Sequence, residues 1–257
     1  MRSQDVLIKW TGSKRLQVPK IICHFPQKIK TYFEPFIGGG SVLFSILTSQ
    51  IEVQNIECSD INKDLICIWQ TVKTNPQIII DFYKENWHKI DQQFYNELKL
   101  QHNETPDPRK FFMILRLCRN GLVRYNKSGK FNSSFHYGRK GVNPDQIEKT
   151  ILNWHKLLKK VNFSCRSYSE IQSSIGDILY LDPPYFSENE FYFDKFDFSP
   201  FLEWLSQQKA AYFLSLNVDF DFPKHLYDKC YLIAGKNSFN QLLGKNICCQ
   251  HSLYAKV

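Results

Sequence analysis

TYFEPFIGGGSVLFSIL, residues 31–47, reads as an aromatic-rich strand over 31–36, a glycine loop over 37–40 and an apolar helix from Ser41. IECSDI (56–61) follows as a second strand ending at Asp60. Strand, glycine loop, helix and strand make one βαβ unit, the building block of a parallel sheet with helical crossovers.

Outward from that unit, the alternation continues. Ile147, Ile151, Trp154 and Leu158 keep helical spacing after Pro144, followed by the strands FSCRSY (163–168), ILYL (178–181), YFLSLN (212–217), CYLIAG (230–235) and HSLYAKV (251–257). On the N-terminal side, residues 13–25 read as a helix. Between Asn62 and about Val142 the pattern is helical without evident strands, including NKDLICIWQTVK and RKFFMILRLCRNG. The expectation is an α/β core from 1–61 and 143–257, with a mainly parallel sheet, interrupted by an insertion over 62–142. In such sheets ligands bind beyond the carboxyl ends of the strands.

Composition narrows the class. With 43% hydrophobic residues over 257 positions the chain can bury a real core. No apolar run approaches the roughly 20 residues that span a bilayer, and the start MRSQDVLIKW lacks the apolar stretch of a signal peptide. A soluble cytoplasmic chain with no membrane partner is expected. The eight cysteines contain no C-x-x-C pair and no histidine spacing that suggests zinc, so reduced, packed thiols and no metal are expected.

The net charge of +8 is unevenly spread. Residues 109–142 hold Arg109, Lys110, Arg116, Arg119, Arg124, Lys127, Lys130, Arg139 and Lys140 and no acid, which leaves 24 basic against 25 acidic residues elsewhere. The same segment interleaves Phe111, Phe112, Tyr125, Phe131, Phe135 and Tyr137 with the amides Asn120, Asn126 and Asn132. That mixture suits phosphate neutralisation together with base-edge contacts, so nucleic acid is the expected partner.

Asp182-Pro183-Pro184-Tyr185 directly follows ILYL, at a strand carboxyl end. The lone pair of an aromatic amine is delocalised into its ring, so it attacks an electrophilic methyl poorly unless acceptors hold its N–H bonds. Asp182 can accept one and the Pro183 carbonyl the other, because successive prolines free their carbonyls from ladder pairing. Tyr185 offers a face on which an extruded base can stack, which implies base flipping. The glycines of FEPFIGGGS (33–41) permit close approach of backbone to a ligand, but the loop lacks the G-x-G-x-x-G phosphate fingerprint. Asp60 stands about 20 residues further on, where an acid reaches ribose hydroxyls. An adenosine cofactor without pyrophosphate, such as S-adenosylmethionine, fits. In Lys9-Trp10-Thr11-Gly12-Ser13-Lys14, Trp10 can pack beside that cofactor and Lys14 can pair with its carboxylate.

KWTGSK (9–14), FEPFIGGGS (33–41), SDIN (59–62) and LDPPY (181–185), in that order, resemble the alpha group of N6-adenine DNA methyltransferases, the Dam-type enzymes. RNGLVRYNKSGKFNSSFHYGRKG (119–141) is similar to that family's recognition segment, and SCRSY (164–168) and LSLN (214–217) extend the likeness almost to the C-terminal strand. The resemblance implies a Rossmann-like S-adenosylmethionine-dependent core with a largely helical target-recognition insertion. It implies Trp10, Lys14, Glu34, Phe36, Gly38, Gly40, Asp60, Ser167, Tyr168 and Asp182 around the cofactor, and Asp182, Pro183, Pro184 and Tyr185 at the adenine. For double-stranded DNA the candidates are Lys9, Arg116, Arg119, Asn120, Leu122, Arg124, Asn126, Lys127, Lys130, Asn132 and Arg139, with Arg124 on a guanine and Lys127 and Lys130 on phosphates. Arg119, Ser134 and the run His136-Tyr137-Gly138 depart from the GATC-reading members, so a site with a guanine near the adenine is expected, GATC or another. A companion restriction endonuclease and a monomer or weak dimer are compatible with the family. Transfer to cytosine N4 and a silent DNA-binding module stand as alternatives; RNA fits less well, and the glycine pattern disfavours a nicotinamide oxidoreductase.

Overall fold

ILYL forms β4 (Ile178–Leu181) with all four side chains buried, as a central parallel strand covered on both faces requires. The computed structural model describes residues 5–138, 140–184, 196–217, 222–236 and 248–256. Around β4 a seven-stranded sheet runs in the order β3-β2-β1-β4-β5-β7-β6. β1 (Lys28–Glu34), β2 (Glu52–Asp60), β3 (Val161–Cys165) and β5 (Ala211–Asn217) join β4 in parallel. β7 (Cys248–Lys256) inserts antiparallel between β5 and β6 (Lys229–Lys236). Strand order reverses between β1 and β4, so the crevice at a doubly wound sheet's switch point opens above their carboxyl ends.

Alternation along β4 divides the core. Tyr180 joins Tyr32 and Phe213 in a large cluster with α2 (Ser41–Leu47), α3 (Lys63–Thr74) and α7 (Pro144–Leu157). Leu179 and Leu181 face the other way, onto Phe201, Trp204 and Leu205 of α8 (Phe198–Ser206), a helix the sequence reading did not single out.

The expected helix over 13–25 shrinks to α1 (Val18–Ile22), because Pro19 is tolerated only in a first turn and residues 14–18 instead form turns on the Lys14 carbonyl. β1 stops at Glu34, since Pro35 has no N–H to extend the ladder.

From 62 to 142 lie α3, α4 (Gln77–Asn86), α5 (Gln92–Glu104) and α6 (Pro108–Leu117). α6 is buried over most of its length and packs against α3, α4 and α5. α3 belongs to both layers: Trp69 stacks on Phe163 of β3 at 5.5 Å and meets Trp154 of α7 at 5.0 Å. No described helix is long and apolar enough to cross a membrane.

Candidate active site and nucleic-acid interface

Asp182 leaves the end of β4 and meets a cation from the far end of the chain. The Lys14 ammonium lies 2.6 and 2.7 Å from the two carboxylate oxygens of Asp182 and donates also to the Gly12 carbonyl at 3.1 Å. Lys14 is only 4% exposed, whereas the Asp182 side chain keeps 20% of its surface. A buried ammonium held on both oxygens fixes the carboxylate's orientation and leaves it lone pairs for another donor. The Lys14 charge is thus engaged by Asp182, where the sequence reading had directed it to a cofactor carboxylate.

The glycine loop turns through left-handed conformations at Gly38 (φ +44°) and Gly40 (φ +66°). Its Cβ positions are taken by the protein itself: a methyl on Gly38 would meet the Trp10 ring at 2.9 Å, and one on Gly40 the Trp69 ring at 2.8 Å. The loop is therefore gripped between Trp10 and Trp69, whose indole N–H donates to the Gly38 carbonyl at 3.1 Å. Ser13 and Ser41 share a hydroxyl hydrogen bond of 2.9 Å, which ties the N-terminal motif to the start of α2.

Asp60 closes the second wall. Its oxygens accept from the backbone N–H of Gly38 at 3.3 Å and Asn62 at 3.0 Å. Burial pushes this carboxyl up to about 6, against the pull of the Asn62, Gly38 and Ile61 amides. Ile61 beside it is 76% exposed, an apolar side chain at a strand end that the sequence reading passed over. The signal was there: an isoleucine between Asp60 and Asn62, just past the end of a strand, has no core left to enter. Phe36 and Tyr168 meet at 5.7 Å in a cluster with Phe196 and Phe201. Ser167 caps the 3₁₀ turn Tyr168–Glu170, and the Glu170 carboxylate accepts from its N–H at 2.8 Å.

Glu34 departs from this group. It is 2% exposed beneath the loop, where the Tyr32 hydroxyl donates to it at 2.8 Å. Burial pushes its carboxyl up to about 8; the Tyr32 bond opposes this, the Asp182 charge adds to it, and the Leu43 amide opposes it.

The basic segment folds back on itself as a narrow antiparallel loop, with isolated bridges pairing Cys118 with Phe135 and Tyr125 with Phe131. Phe131, Ser133 and Phe135 are buried while Asn132 and Ser134 are exposed, the alternation of a half-buried strand. Phe111, Phe112, Phe131 and Phe135 are core residues, so most of the aromatics in this segment fix the loop; Tyr125 is half-buried and Tyr137 is 69% exposed. Arg119, Lys127, Lys130 and Asn132 are exposed, and Asn120, Leu122 and Arg124 are half-buried along the same loop. Two candidates point elsewhere. Arg116 donates to the Val6 and Leu7 carbonyls at 2.8 and 3.0 Å, and the Asn126 side chain accepts from Ser128 and Lys130 N–H at 3.0 Å, shaping the turn. Lys9 packs against Gly121. Pro183 is buried and Pro184 half-buried beside Asp182; Tyr185 and Arg139 lie outside the described residues.

A family profile described as D12 class N6 adenine-specific DNA methyltransferase matches residues 10–240. The type II methyltransferase M.MjaIII of Methanocaldococcus jannaschii is 30% identical over 256 residues, covering 86% of this chain and 87% of that protein. A DNA adenine methylase of Vibrio cholerae is 32% identical over 196 residues, covering 72% of this chain and 66% of its own. The DNA adenine methylase of Escherichia coli K12 is 30% identical over 193 residues, again covering 72% and 66%.

Proposed function

The chain belongs to the D12 class of N6 adenine-specific DNA methyltransferases, and from that premise we propose that it moves a methyl group from S-adenosylmethionine to a flipped adenine in double-stranded DNA, at the crevice bounded by Asp182, the glycine loop and Asp60. Membership sets aside the cytosine N4 and silent-binding alternatives. The observation that carries the proposal is the buried Lys14 ammonium clamped on both oxygens of Asp182, at the end of β4 and the switch point of the sheet.

S-adenosylmethionine supplies the electrophilic methyl of its sulfonium. The residues present suit it: Asp60 is a half-buried acceptor for ribose hydroxyls, Ile61 and the Phe36–Tyr168 pair offer apolar surface for a purine, and Trp10 backs the loop. Asp182 orients the target amine by accepting one N–H, and the Pro183 carbonyl accepts the other, which favours a pyramidal nucleophilic nitrogen. Tyr185 stacks on the extruded base. The exposed loop carrying Arg119, Arg124, Lys127 and Lys130 reads and holds the duplex, with α4, α5 and α6 as its scaffold; Arg116 and Asn126 serve that scaffold instead.

Replacement of Asp182 tests this. Asp182→Asn and Asp182→Ala should both lower methyl transfer by at least about 100-fold, the scale of a misplaced reacting group, while calorimetry finds S-adenosylmethionine binding largely retained. Turnover near wild type in either variant would refute the assignment.

A further inference from the structure

The reading loop is fastened to the chemical site at two points by single side-chain hydrogen bonds, and neither bond belongs to the methyl-transfer machinery itself. At its first turn, the Thr11 hydroxyl donates to the Gly121 carbonyl at 2.9 Å across 110 residues of sequence. Thr11 stands three residues before Lys14, whose ammonium grips Asp182. Lys9 covers the same spot so closely that a Cβ on Gly121 would fall 2.8 Å from its Cγ. At the other end, Asn62 donates from its side-chain nitrogen to the Tyr125 hydroxyl at 2.7 Å. The backbone N–H of that same Asn62 donates to Asp60 at 3.0 Å, and its side-chain oxygen caps α3 through Leu65 at 2.9 Å. The two fastenings bracket Leu122, Val123 and Arg124. The turn Arg119–Gly121, which ends at the first fastening, holds Asn120 at φ +59°, a left-handed conformation that non-glycine residues other than Asn and Asp seldom adopt.

A loop tied at one flank to the segment that carries Lys14 and at the other to Asn62, which donates to Asp60, is mechanically linked to both when it shifts on DNA. We propose that Thr11 and Tyr125 are positioning residues which transmit correct seating of DNA in the reading loop to the Lys14–Asp182 pair and to Asp60, so that discrimination between DNA sequences appears in kcat as well as in binding. This rests on the methyltransferase reading given above.

The test first reads the target, by modified-base sequencing of DNA from a host without adenine methylation that expresses the unaltered chain. Absence of any modified motif overturns the methyltransferase reading, a failure separate from that of the coupling. Transfer of labelled methyl is then measured for the wild type, Thr11→Val, Thr11→Ser and Tyr125→Phe. Two duplexes are used, one carrying the motif and one with a single base pair of it changed. Tyr125→Phe removes only a hydroxyl from a ring packed edge-on against Phe131 at 5.8 Å, and Thr11→Ser keeps the donor.

Loss of one net hydrogen bond predicts a fall in kcat of about 3- to 10-fold on the motif duplex for Thr11→Val and Tyr125→Phe. The changed duplex should stay within about twofold, as should the dissociation constants of DNA and S-adenosylmethionine, with Thr11→Ser near wild type. Equal losses on both duplexes, a loss confined to DNA affinity, or no loss at all would each overturn the proposal. A fold merely weakened by substitution gives the first of these, so it cannot pass for coupling.

Discussion

Glu34→Gln should reverse its effect on stability between acid and alkaline pH. In the folded chain Glu34 is 2% exposed and its carboxyl is pushed from its ordinary 4.5 to about 8, chiefly by burial. The Tyr32 hydroxyl and the Leu43 amide donate to it, while the nearby Asp182 charge disfavours a second negative charge. Below about pH 4.5 the carboxyl is protonated folded or unfolded, and its ionisation contributes nothing. Between about 5 and 8 the unfolded chain has lost the proton and the folded chain keeps it, so the unfolded state binds fewer protons and stability falls as pH rises. The slope for one proton is about 1.4 kcal/mol per pH unit, which over that interval amounts to on the order of 4 kcal/mol. Glutamine retains an acceptor for Tyr32 and Leu43 and cannot ionise. Urea unfolding of wild type and Glu34→Gln at pH 5, 6, 7, 8 and 9 reads this group together with its coupling to Asp182, because the contributions of titrating side chains not coupled to it cancel in the difference. The variant should be equal to or slightly less stable than wild type at pH 5, and more stable by several kcal/mol at pH 9. A difference that stays constant within about 0.5 kcal/mol across the series would refute the buried, proton-holding assignment.

Asp60→Ala should weaken S-adenosylmethionine binding by about 1.5 to 3 kcal/mol, the value of a hydrogen bond to a charged acceptor, and calorimetry with and without divalent metal should give the same constant. An unchanged constant, or binding only with metal, counts against the proposed cofactor wall. The proposed stacking of the Tyr185 ring on the extruded base predicts that Tyr185→Ala slows methyl transfer more than Tyr185→Phe; equal losses would implicate the hydroxyl. Arg124→Ala should relax the modified motif at one base pair at a cost of about 1 to 3 kcal/mol of discrimination. Lys127→Ala should weaken binding to all duplexes and lower the salt dependence by about one unit of log-log slope. Methylome sequencing together with salt-titrated binding separates the two roles, and a changed motif in Lys127→Ala with none in Arg124→Ala would invert them.

What the sequence determined by itself was whatever depends on near neighbours. Ile178–Leu181 is apolar at every position and is cut off after four residues by Asp182-Pro183-Pro184, which suits a strand buried on both faces rather than a helix, so β4 and the motif at its end were readable at once. The glycine loop and SDIN were readable for the same reason: one βαβ crossover spans them, and a change from strand to helical periodicity marks each boundary. Tertiary structure decided what depends on residues far apart in the chain. Lys14 and Asp182 are 168 residues apart, and only closure of the sheet brings that ammonium onto the carboxylate. Gly38 and Gly40 look like room for a ligand until Trp10 and Trp69 arrive from other elements to fill the space a Cβ would need. In the basic segment, charge and aromatic content announced a nucleic-acid face, yet composition carries no direction. Whether Phe131 or Arg116 turns toward solvent or inward depends on α3, α4 and α5 packing around α6, and on the Val6 and Leu7 carbonyls that the Arg116 guanidinium satisfies. Local pattern fixes which element forms, because backbone hydrogen bonding and side-chain period are local; which atom faces which partner is settled only when distant surfaces compete for burial.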